Sequence, residues 1–358
     1  MGSVQSAPGA LDEATGSYRL RVARVIEETA DTRSLVLEVP APLAERFAYR
    51  AGQFLTFRVT CAGQRLTRCY SMSSAPEADA ALRVTVKRVA GGRVSNWMNE
   101  AVSPGDELEV LPPAGSFHLG GEERDLILFG GGSGITPVFS ILKSALFSRR
   151  CRVCLVYANR DEGSVIFREE LRDLAKTYGE RLQVIHVLDS LQGFLGAAQV
   201  RHLVGDRTGD EFFICGPGPF METVASTLLE LGVERARVHV ERFVSPADPE
   251  VLEAERQRLR ESVAGDALER LTVNLDGIDH EVPCEPGETL LQSCRRAGLA
   301  APASCEEGVC GACMCRVEQG DVLLPRNAVL SAAELADGWT LACQGRPRGA
   351  TVRVRFPD

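Results

Sequence analysis

The stretch SCEEGVCGACMC, residues 304–315, contains four cysteines, three of which stand in a C-x₄-C-x₂-C arrangement. A further cysteine follows after 29 intervening residues, and three close thiols with one distant thiol are typical of a [2Fe–2S] cluster. The small residues between the thiols let the backbone approach the inorganic sulfides and direct N–H groups at them. A disulfide or a zinc site is the alternative, but zinc ligands usually occur as two short pairs. The predicted cluster ligands are Cys305, Cys310, Cys313 and Cys343.

The composition indicates a chain of several domains that binds neither nucleic acid nor a membrane. Its 358 residues suffice for two or three domains of ~100–200 residues each, and 44% of them are hydrophobic. A formal net charge of −9 argues against a nucleic-acid partner. We find no signal peptide and no apolar run near the ~20 residues that cross a bilayer. We therefore expect a cytoplasmic protein whose other cysteines are reduced thiols.

The pattern of strands and turns divides the chain into three folded parts. Residues 16–122 contain short strands separated by Gly and Pro turns, which predicts an antiparallel β-barrel. Residues 123–243 alternate apolar strands with helices, which predicts an α/β domain with a parallel sheet. Residues 269–358 contain a predicted hairpin, a helix and the cysteine loop. We assign residues 1–15 to a flexible tail and the charged segment 244–268 to a linker.

Two short motifs in the predicted barrel carry the groups that a flavin nucleotide needs. The strand RCYS places a cation, an aromatic ring and a hydroxyl close together, in Arg68, Tyr70 and Ser71. These groups can pair with a phosphate, stack on the isoalloxazine and reach its N5 region. The second motif, GGRVSNW at residues 91–97, is typical of a glycine turn that opens a helix and binds a pyrophosphate. Arg and Tyr in a strand are usually surface or packing residues, but the two motifs together predict a flavin site.

Two glycine motifs in the predicted α/β domain indicate a dinucleotide site. GGGSGITP, residues 130–137, turns a strand into a helix, where a pyrophosphate can approach bare backbone. CGPGPFM, residues 215–221, places the thiol of Cys215 at the carboxyl edge of the sheet, where open α/β sheets bind ligands. A thiol there can border a nicotinamide carbon without competing for its hydride. Taken singly, the motifs have ordinary alternatives: a turn without a ligand and a buried structural cysteine.

These five motifs together resemble the ferredoxin-NADP⁺ reductase superfamily fused to a plant-type ferredoxin. The order of barrel, nucleotide domain and ferredoxin is most similar to the reductase components of multicomponent oxygenases. The resemblance covers nearly the whole chain. It implies an FAD-binding antiparallel β-barrel, a nucleotide-binding α/β domain with a parallel sheet and a C-terminal β-grasp ferredoxin domain. FAD is implied over FMN because the second barrel motif resembles the version that holds a pyrophosphate.

The resemblance also implies roles for individual residues. FAD is implied to contact Arg68, Cys69, Tyr70, Ser71, Val86, Lys87, Arg88, Arg93, Val94 and Ser95. The nicotinamide nucleotide is implied to contact Gly132, Ser133, Gly134, Thr136, Pro137, Cys215, Gly216 and Pro217. Phe243 is implied to shield the flavin ring. The implied catalytic residues are Ser71, Cys215 and Glu241.

Two residues bear on the choice between NADH and NADPH. Arg160 can bind a 2′-phosphate, whereas Asp189 stands where relatives selective for NADPH tend to carry Ser-Arg. A carboxylate there would hydrogen-bond a ribose 2′-hydroxyl and repel a phosphate. We therefore predict NADH as the electron donor, with NADPH as the alternative.

The predicted cofactors define a path for electrons. A hydride carries two electrons and the cluster accepts one, so a flavin has to stand between them. We predict an NAD(P)H-dependent reductase component that delivers electrons from NADH to a Rieske-type non-haem iron oxygenase. The alternatives are an NADPH-dependent reductase of a diiron CoA-thioester epoxygenase and a ferredoxin-like electron carrier without hydride chemistry. Glu306 and Glu307, beside a predicted ligand, are either an acidic docking rim for the oxygenase or merely solubilising.

Overall fold

The computed structural model describes residues 11–12, 16–61, 63–121, 123–244 and 270–357. It divides into two compact units, the first ending at Phe243 and the second beginning at Val244. The first unit contains an antiparallel sheet and a parallel sheet, and the second contains a mixed sheet. These three sheets confirm the fold class predicted from the sequence.

The antiparallel sheet of the first unit closes into a barrel. Its strands are β1 (Leu11–Asp12), β2 (Ser17–Thr29), β3 (Thr32–Glu38), β4 (Phe54–Cys61), β5 (Gln64–Ser71), β6 (Leu82–Lys87) and β7 (Glu107–Ala114). They follow the order β5-β4-β7-β2-β3-β6, with β1 paired to β2. A bridge between Met72 and Val84 joins the end of β5 to β6 and closes the ring. One helix, α1 (Arg93–Glu100), follows β6.

Alternation along the strands fills the barrel. In β2, Leu20 and Val22 are buried while Arg19 and Arg21 are exposed, because successive side chains of a strand point to opposite faces. The same pattern in the other strands gives one continuous core that also includes Val94 and Met98 of α1. The helix is therefore fixed against the barrel by its apolar face, and its N-terminus is held in place.

The parallel sheet has five strands with helices on both faces. The elements are β8 (Leu126–Gly131), α2 (Ile135–Ser148), β9 (Val153–Asn159), α3 (Arg168–Thr177), β10 (Leu182–Leu188), α4 (Asp189–Gln192), α5 (Ala197–Val204), β11 (Glu211–Cys215), α6 (Gly218–Glu230) and β12 (Val238–Glu241). The strand order is β10-β9-β8-β11-β12, and every pairing is parallel. Helices α2 and α3 pack on one face, and α5 and α6 pack on the other. The carboxyl ends of the strands therefore meet at one edge.

The second unit has a mixed sheet with a helix packed against it. The elements are β13 (Arg270–Leu275), β14 (Ile278–Val282), α7 (Leu290–Arg296), β15 (Met314–Leu323), α8 (Ala332–Ala336), β16 (Trp339–Leu341) and β17 (Arg346–Arg355). The order is β14-β13-β17-β15-β16, and β13 and β17 run parallel. Leu290 and Cys294 of α7 lie in a common core with Val273 and Val352 of the sheet. A mixed sheet that holds one helix in this way is the predicted β-grasp arrangement.

Short 3₁₀ turns complete the first unit, at Ala41–Leu43, Gly132–Gly134, Glu162–Ser164 and Arg235–Arg237. The tail proposed for residues 1–15 and the linker proposed for 244–268 lie almost entirely outside the described residues. The exact domain boundaries therefore stay predictions. Within the described part of the chain, no helix has the length and apolar character needed to cross a bilayer.

Candidate cofactor sites

The four predicted cluster ligands converge on one place in the second unit. The thiols of Cys305 and Cys310 hydrogen-bond to each other, and the thiols of Cys313 and Cys343 do the same. The backbone N–H of Cys305 donates to the Cys310 sulfur over 3.5 Å, and that of Cys343 donates to the Cys313 sulfur over 3.4 Å. All four thiols therefore form one constellation, made of two pairs.

Two thiol pairs fit a cluster of two irons, with two thiolates for each iron. Among the described residues, no three metal-binding side chains surround a single point as a mononuclear site requires. The sulfurs also receive N–H donors from outside the set: the Glu307 backbone reaches the Cys305 sulfur over 3.4 Å. The Gly308 backbone N–H donates to Cys343. Soft thiolates with converging N–H donors are the surroundings that a [2Fe–2S] cluster needs, so the residues fit the group.

The loop around the thiols needs unusual backbone angles. Glu306, Gly308 and Gly311 all have positive φ, at 60°, 74° and 69°. A Cβ added at Gly308 would lie 3.0 Å from Cγ of Gln344, so a larger residue would be strained by its angle and would displace that side chain. The positive φ of Gly308 and Gly311 therefore favours glycine at both positions.

Two residues that the sequence analysis did not single out support this loop. Arg295 of α7 donates to both carboxylate oxygens of Glu306 over 2.9 and 2.8 Å. The side-chain amide of Gln344 donates to the Glu306 carbonyl over 2.9 Å and to the Cys343 sulfur over 3.6 Å. Because Arg295 already pairs with Glu306, an acidic docking rim would depend more on Glu307 than on Glu306. The docking rim stays a prediction. Arg295 lies in a separate helix outside the cysteine motif, so the spacing of the thiols could not reveal it.

The predicted flavin strand lies in β5 beside the barrel core. The ring of Tyr70 is largely buried and meets Phe57 edge to face, with ring centroids 5.8 Å apart. Burial raises the pKa of the Tyr70 hydroxyl. Ser71, the last residue of β5, is buried, and Arg68 donates to the Thr67 carbonyl over 2.7 Å. Alternation along the strand puts Arg68 and Tyr70 on one face.

Cys69 and Ser71 take the opposite face of β5. The Cys69 thiol contacts the Thr56 hydroxyl at 3.3 Å, which ties this side chain to the neighbouring strand β4. The predicted role of Cys69 at a flavin site therefore fits its backbone better than its thiol.

The second flavin motif forms the N-terminus of α1. Gly92 is the N-cap and has no side chain to cap the helix, and the N-terminus of a helix favours an anion. A Cβ at Gly92 would lie 2.5 Å from the Ser95 hydroxyl, which itself accepts the Val89 N–H over 3.2 Å. Val94 is buried in the core. The pyrophosphate role predicted for Arg93, Val94 and Ser95 thus fits the backbone N–H groups better than the side chains.

The segment after β6 is tied to the same helix. Asn99 of α1 donates to the Val86 carbonyl over 3.0 Å. Lys87 lies 3.7 Å from the Asp31 carboxylate, and Arg88 pairs with Glu100 at the end of α1. The structure therefore brings residues 86–88 and α1 together, as the predicted flavin site requires.

The two glycine motifs of the nucleotide domain pack against each other. A Cβ at Gly134 would lie 2.1 Å from the Cys215 carbonyl oxygen, so this position tolerates no side chain. A Cβ at Gly131 would lie 2.9 Å from Pro217, and one at Gly216 would lie 3.0 Å from the Gly131 Cα. Motifs more than eighty residues apart in sequence thus build one surface at the carboxyl edge of β8 and β11. The bare backbone there fits the diphosphate of a dinucleotide.

The other residues predicted in these motifs lie in the same place. Ser133 belongs to the 3₁₀ turn that starts at Gly132. Thr136 is buried in the first turn of α2 and donates to the Ser133 carbonyl over 3.0 Å, and Pro137 follows in the same turn. The hydroxyl of Tyr157, which the sequence analysis did not single out, donates to the Gly132 carbonyl over 3.2 Å. Tyr157 therefore anchors the glycine turn from the neighbouring strand.

Two of the predicted catalytic residues, Cys215 and Glu241, lie side by side at this edge. Cys215 is fully buried at the end of β11, and Glu241 ends the adjacent strand β12 in direct register with it. Burial raises the pKa of the Cys215 thiol well above its ordinary value, and the nearby Glu241 adds to that shift. Desolvation raises the pKa of the Glu241 carboxyl to about 8. Phe243, two residues after Glu241, is 46% exposed, so its side chain is accessible to pack on a flavin ring as predicted.

Arg160 and Asp189 are neighbours at the far side of the same edge. The Ser190 N–H donates to the Arg160 carbonyl over 2.9 Å, and Asp189 is the first residue of α4, directly after β10. The guanidinium of Arg160 lies 3.3 Å from the Asp31 carboxylate of the barrel. Arg160 is therefore engaged with an acid, whereas Asp189 stands at a strand end where a ribose of a dinucleotide would lie.

Comparison with known proteins gives the class of the protein. Three family models match in sequence order: an oxidoreductase FAD-binding domain at 19–119, an oxidoreductase NAD-binding domain at 128–226 and a 2Fe-2S iron-sulfur cluster binding domain at 273–348. These matches confirm the predicted superfamily resemblance and the predicted cofactors FAD, [2Fe–2S] and a nicotinamide nucleotide.

Curated relatives then give the family. The ferredoxin reductase component of 3-ketosteroid-9-alpha-monooxygenase from Rhodococcus rhodochrous is 45% identical over 95% of this chain and 97% of its own length. A component of the 1,2-phenylacetyl-CoA epoxidase from Escherichia coli (strain K12) is 34% identical over 96% of this chain and 98% of its own length. The chain belongs to this family of flavin and iron–sulfur reductases, and it is an NAD(P)H-dependent oxidoreductase.

Solved structures agree with this fold. The full-length CYP116B46 from Tepidiphilus thermophilus is 28% identical, with a TM-score of 0.69 over 95% of this chain and 42% of that chain. Phthalate dioxygenase reductase, described as a modular structure for electron transfer from pyridine nucleotides to [2Fe–2S], is 24% identical. Its TM-score is 0.58 over 95% of this chain and 98% of that chain. At this identity the second likeness supports the fold alone.

Proposed function

We propose that this chain transfers electrons from NADH, through FAD and a [2Fe–2S] cluster, to the terminal component of a Rieske-type oxygenase. The observation that carries the proposal is the similarity to a reductase component over nearly the full length of both chains, at 45% identity. Bound FAD would accept a hydride and release electrons singly to the cluster. The three predicted sites supply the groups that each of these cofactors needs.

The proposed roles of individual residues follow from their places. Arg68 supplies a cation for a flavin phosphate, Tyr70 offers a ring to the isoalloxazine, and Ser71 offers a hydroxyl near N5. Cys215 borders the nicotinamide without competing for its hydride, because the raised pKa of its buried thiol keeps it protonated. Glu241 is neutral at pH 7 because desolvation raises its pKa to about 8, so it adds no charge beside the nicotinamide.

The preference for NADH rests on Asp189 and Arg160. The Asp189 carboxylate stands at the strand end where it would accept from a ribose 2′-hydroxyl and repel a 2′-phosphate. Arg160, the residue that would favour NADPH, pairs with Asp31 at 3.3 Å. Both observations favour the nucleotide that lacks the phosphate.

The partner we favour is a 3-ketosteroid hydroxylase. Relatives named as reductase components of 3-ketosteroid-9-alpha-monooxygenase are 42–45% identical to this chain, against 34% for the phenylacetyl-CoA epoxidase component and 30% for glycine betaine monooxygenase reductases. The diiron CoA-thioester epoxygenase therefore stays the second candidate. The cytoplasmic location stays a prediction from the sequence.

Reconstitution with purified terminal oxygenases tests this proposal. The purified holoprotein, NADH and either a 3-ketosteroid hydroxylase or a phenylacetyl-CoA epoxidase would be combined, and the oxygenated product would be measured. We expect steroid turnover that needs the reductase and exceeds that with the epoxidase. Turnover with the epoxidase alone would reverse the choice of partner. A flavin that NADH does not bleach would instead favour the electron-carrier alternative.

A further inference from the structure

A network of ion pairs around two buried cations joins the barrel to the nucleotide domain. Arg83 of β6 donates to both carboxylate oxygens of Glu170 in α3, over 2.7 and 3.0 Å. A barrel carboxylate, Glu28, lies 3.9 Å from the same guanidinium. Lys143 of α2 pairs with Asp79 of the barrel. We call these five residues the interdomain ion-pair network.

The two cations of the network are desolvated and lie against aromatic rings. The side chains of Arg83 and Lys143 are 11% and 6% exposed. The Arg83 guanidinium lies 5.1 Å from the ring centroid of Phe167, and the Lys143 ammonium lies 4.7 Å from that of Phe139. The two rings stack on each other with centroids 4.4 Å apart. Buried charges rarely add much net stability, whereas their directional contacts fix geometry, so the network is better suited to set an orientation than to hold the fold together.

Arg83 also holds the chain that follows the flavin strand. Its backbone N–H donates to the Ser74 hydroxyl over 2.9 Å, and its carbonyl accepts the Ser73 N–H over 2.8 Å. Ser73 and Ser74 come two and three residues after Ser71, the proposed flavin-contacting hydroxyl. Arg83 therefore contacts two parts of the molecule. Its backbone binds the segment that follows β5, and its guanidinium binds helix α3 of the nucleotide domain.

A second contact completes the path to the nicotinamide side. Ser140 of α2 donates to the Ser74 carbonyl over 2.6 Å and accepts the Gly52 N–H over 3.2 Å. Ser140 lies one helical turn after Thr136, in the helix that the glycine turn opens. The segment that follows Ser71 is thus hydrogen-bonded directly to helix α2, which contains Thr136. Arg83 stabilises this contact because its backbone binds Ser74.

From this geometry we propose that Arg83 is a positioning residue for hydride transfer, which fixes the flavin site relative to the nicotinamide site through Glu170 and Ser74. Hydride transfer depends steeply on the distance between the reacting atoms, and a shift of about 1 Å can cost about 100-fold in rate. The proposal rests on the proposed function, because it needs both nucleotides to bind as described. Arg83 is not among the residues proposed to contact FAD or the nicotinamide nucleotide.

Stopped-flow reduction of the flavin by NADH, under anaerobic conditions, tests the role. Glu170→Gln removes the charge that Arg83 holds while Glu170 itself is 41% exposed, so this variant is expected to fold. Arg83→Met removes the guanidinium, and Arg83→Lys keeps the charge without the two-pronged contact. The matched control is Arg201→Met, which breaks an ion pair between α5 and α6 on the other face of the sheet.

We expect the limiting rate of flavin reduction to fall at least about tenfold in Arg83→Met and Glu170→Gln. The dissociation constant of NADH should change less than about threefold, and FAD content should match that of the wild type. Arg83→Lys should recover part of the rate, and Arg201→Met should leave it unchanged. Variants with full FAD content that reduce the flavin at the wild-type rate would overturn the positioning role, even if they melt at lower temperature. A wild-type protein that NADH does not reduce would contradict the proposed function instead.

Discussion

Glu241 lies directly beside Cys215 in the register of two parallel strands, β12 and β11, at the edge of the sheet where both glycine motifs meet. The carboxyl is desolvated there, which raises its pKa to about 8, and it in turn raises the pKa of the thiol. The pair therefore presents two neutral, protonated groups at neutral pH. A hydride donor approaching this edge meets no fixed negative charge from them.

The raised pKa of Glu241 predicts a pH dependence of stability. In the unfolded chain the carboxyl loses its proton near 4.5, whereas the folded protein keeps it until about pH 8. The native state therefore binds more protons across this window, so its stability falls as the pH rises, by up to about 1.4 kcal/mol per pH unit. Glu241→Gln removes this contribution. The melting temperatures of both holoproteins would be measured from pH 5 to pH 9. The melting temperature of the variant should rise relative to that of the wild type as the pH rises to 8. A constant difference would show that Glu241 is already ionised at pH 5.

Three of the four cluster ligands and the glycine turns could be predicted from sequence because each motif lies within a few residues, and the distant Cys343 completes a known spacing. The contacts that join one motif to another could not be predicted from the sequence. Cys215 and Glu241 meet through strand register, and Arg295 reaches Glu306 only because α7 packs beside the cysteine loop. Arg83 and Glu170 look like ordinary surface charges in the sequence, and folding buries the first of them.

The sequence pattern does not predict helix α5, because this helix is short and lies between Gly196 and Gly205, so its segment resembles a loop. The roles of the individual site residues still rest on motif resemblance and on their positions, and they stay predictions.

Loss of one cluster ligand should separate the two halves of the electron path. Cys310→Ser removes a thiolate from the first thiol pair, so we expect loss of the cluster and of its EPR signal. NADH should still bleach the flavin at the wild-type rate, because the hydride site lies in the other unit. Cys284→Ser, a change in the same unit outside the constellation, is the control and should keep the full iron content. An intact cluster in Cys310→Ser would disprove the ligand assignment.

Gln344 should tune the reduction potential of the cluster. Its amide donates to the Cys343 sulfur over 3.6 Å, and such donors stabilise the more negative, reduced state. We expect Gln344→Leu to lower the midpoint potential by about 60 mV, a tenfold change in a one-electron equilibrium. A redox titration followed by EPR measures this shift, with the exposed Gln319→Leu as control. An unchanged midpoint potential in a variant with full iron content would contradict this role and leave Gln344 only its hydrogen bond to the Glu306 carbonyl.

Asp189 should decide the choice of nucleotide. Replacing it by Ser removes the carboxylate that repels a 2′-phosphate, so we expect kcat/KM for NADPH to rise at least about tenfold. The value for NADH should fall, because the ribose loses a hydrogen-bond acceptor. Steady-state kinetics with both nucleotides and an artificial electron acceptor measure the ratio, and Asp206→Ser on another loop serves as control. A wild type that prefers NADPH would refute the predicted specificity at once.

In the proposed function, electrons pass from NADH through the flavin to the cluster within this one chain. An anaerobic titration of the purified holoprotein with NADH, followed by visible spectroscopy and low-temperature EPR, tests it most directly. We predict bleaching of the flavin together with a rhombic [2Fe–2S] signal in the same samples. Bleaching without the cluster signal, or no bleaching at all, would contradict the claim.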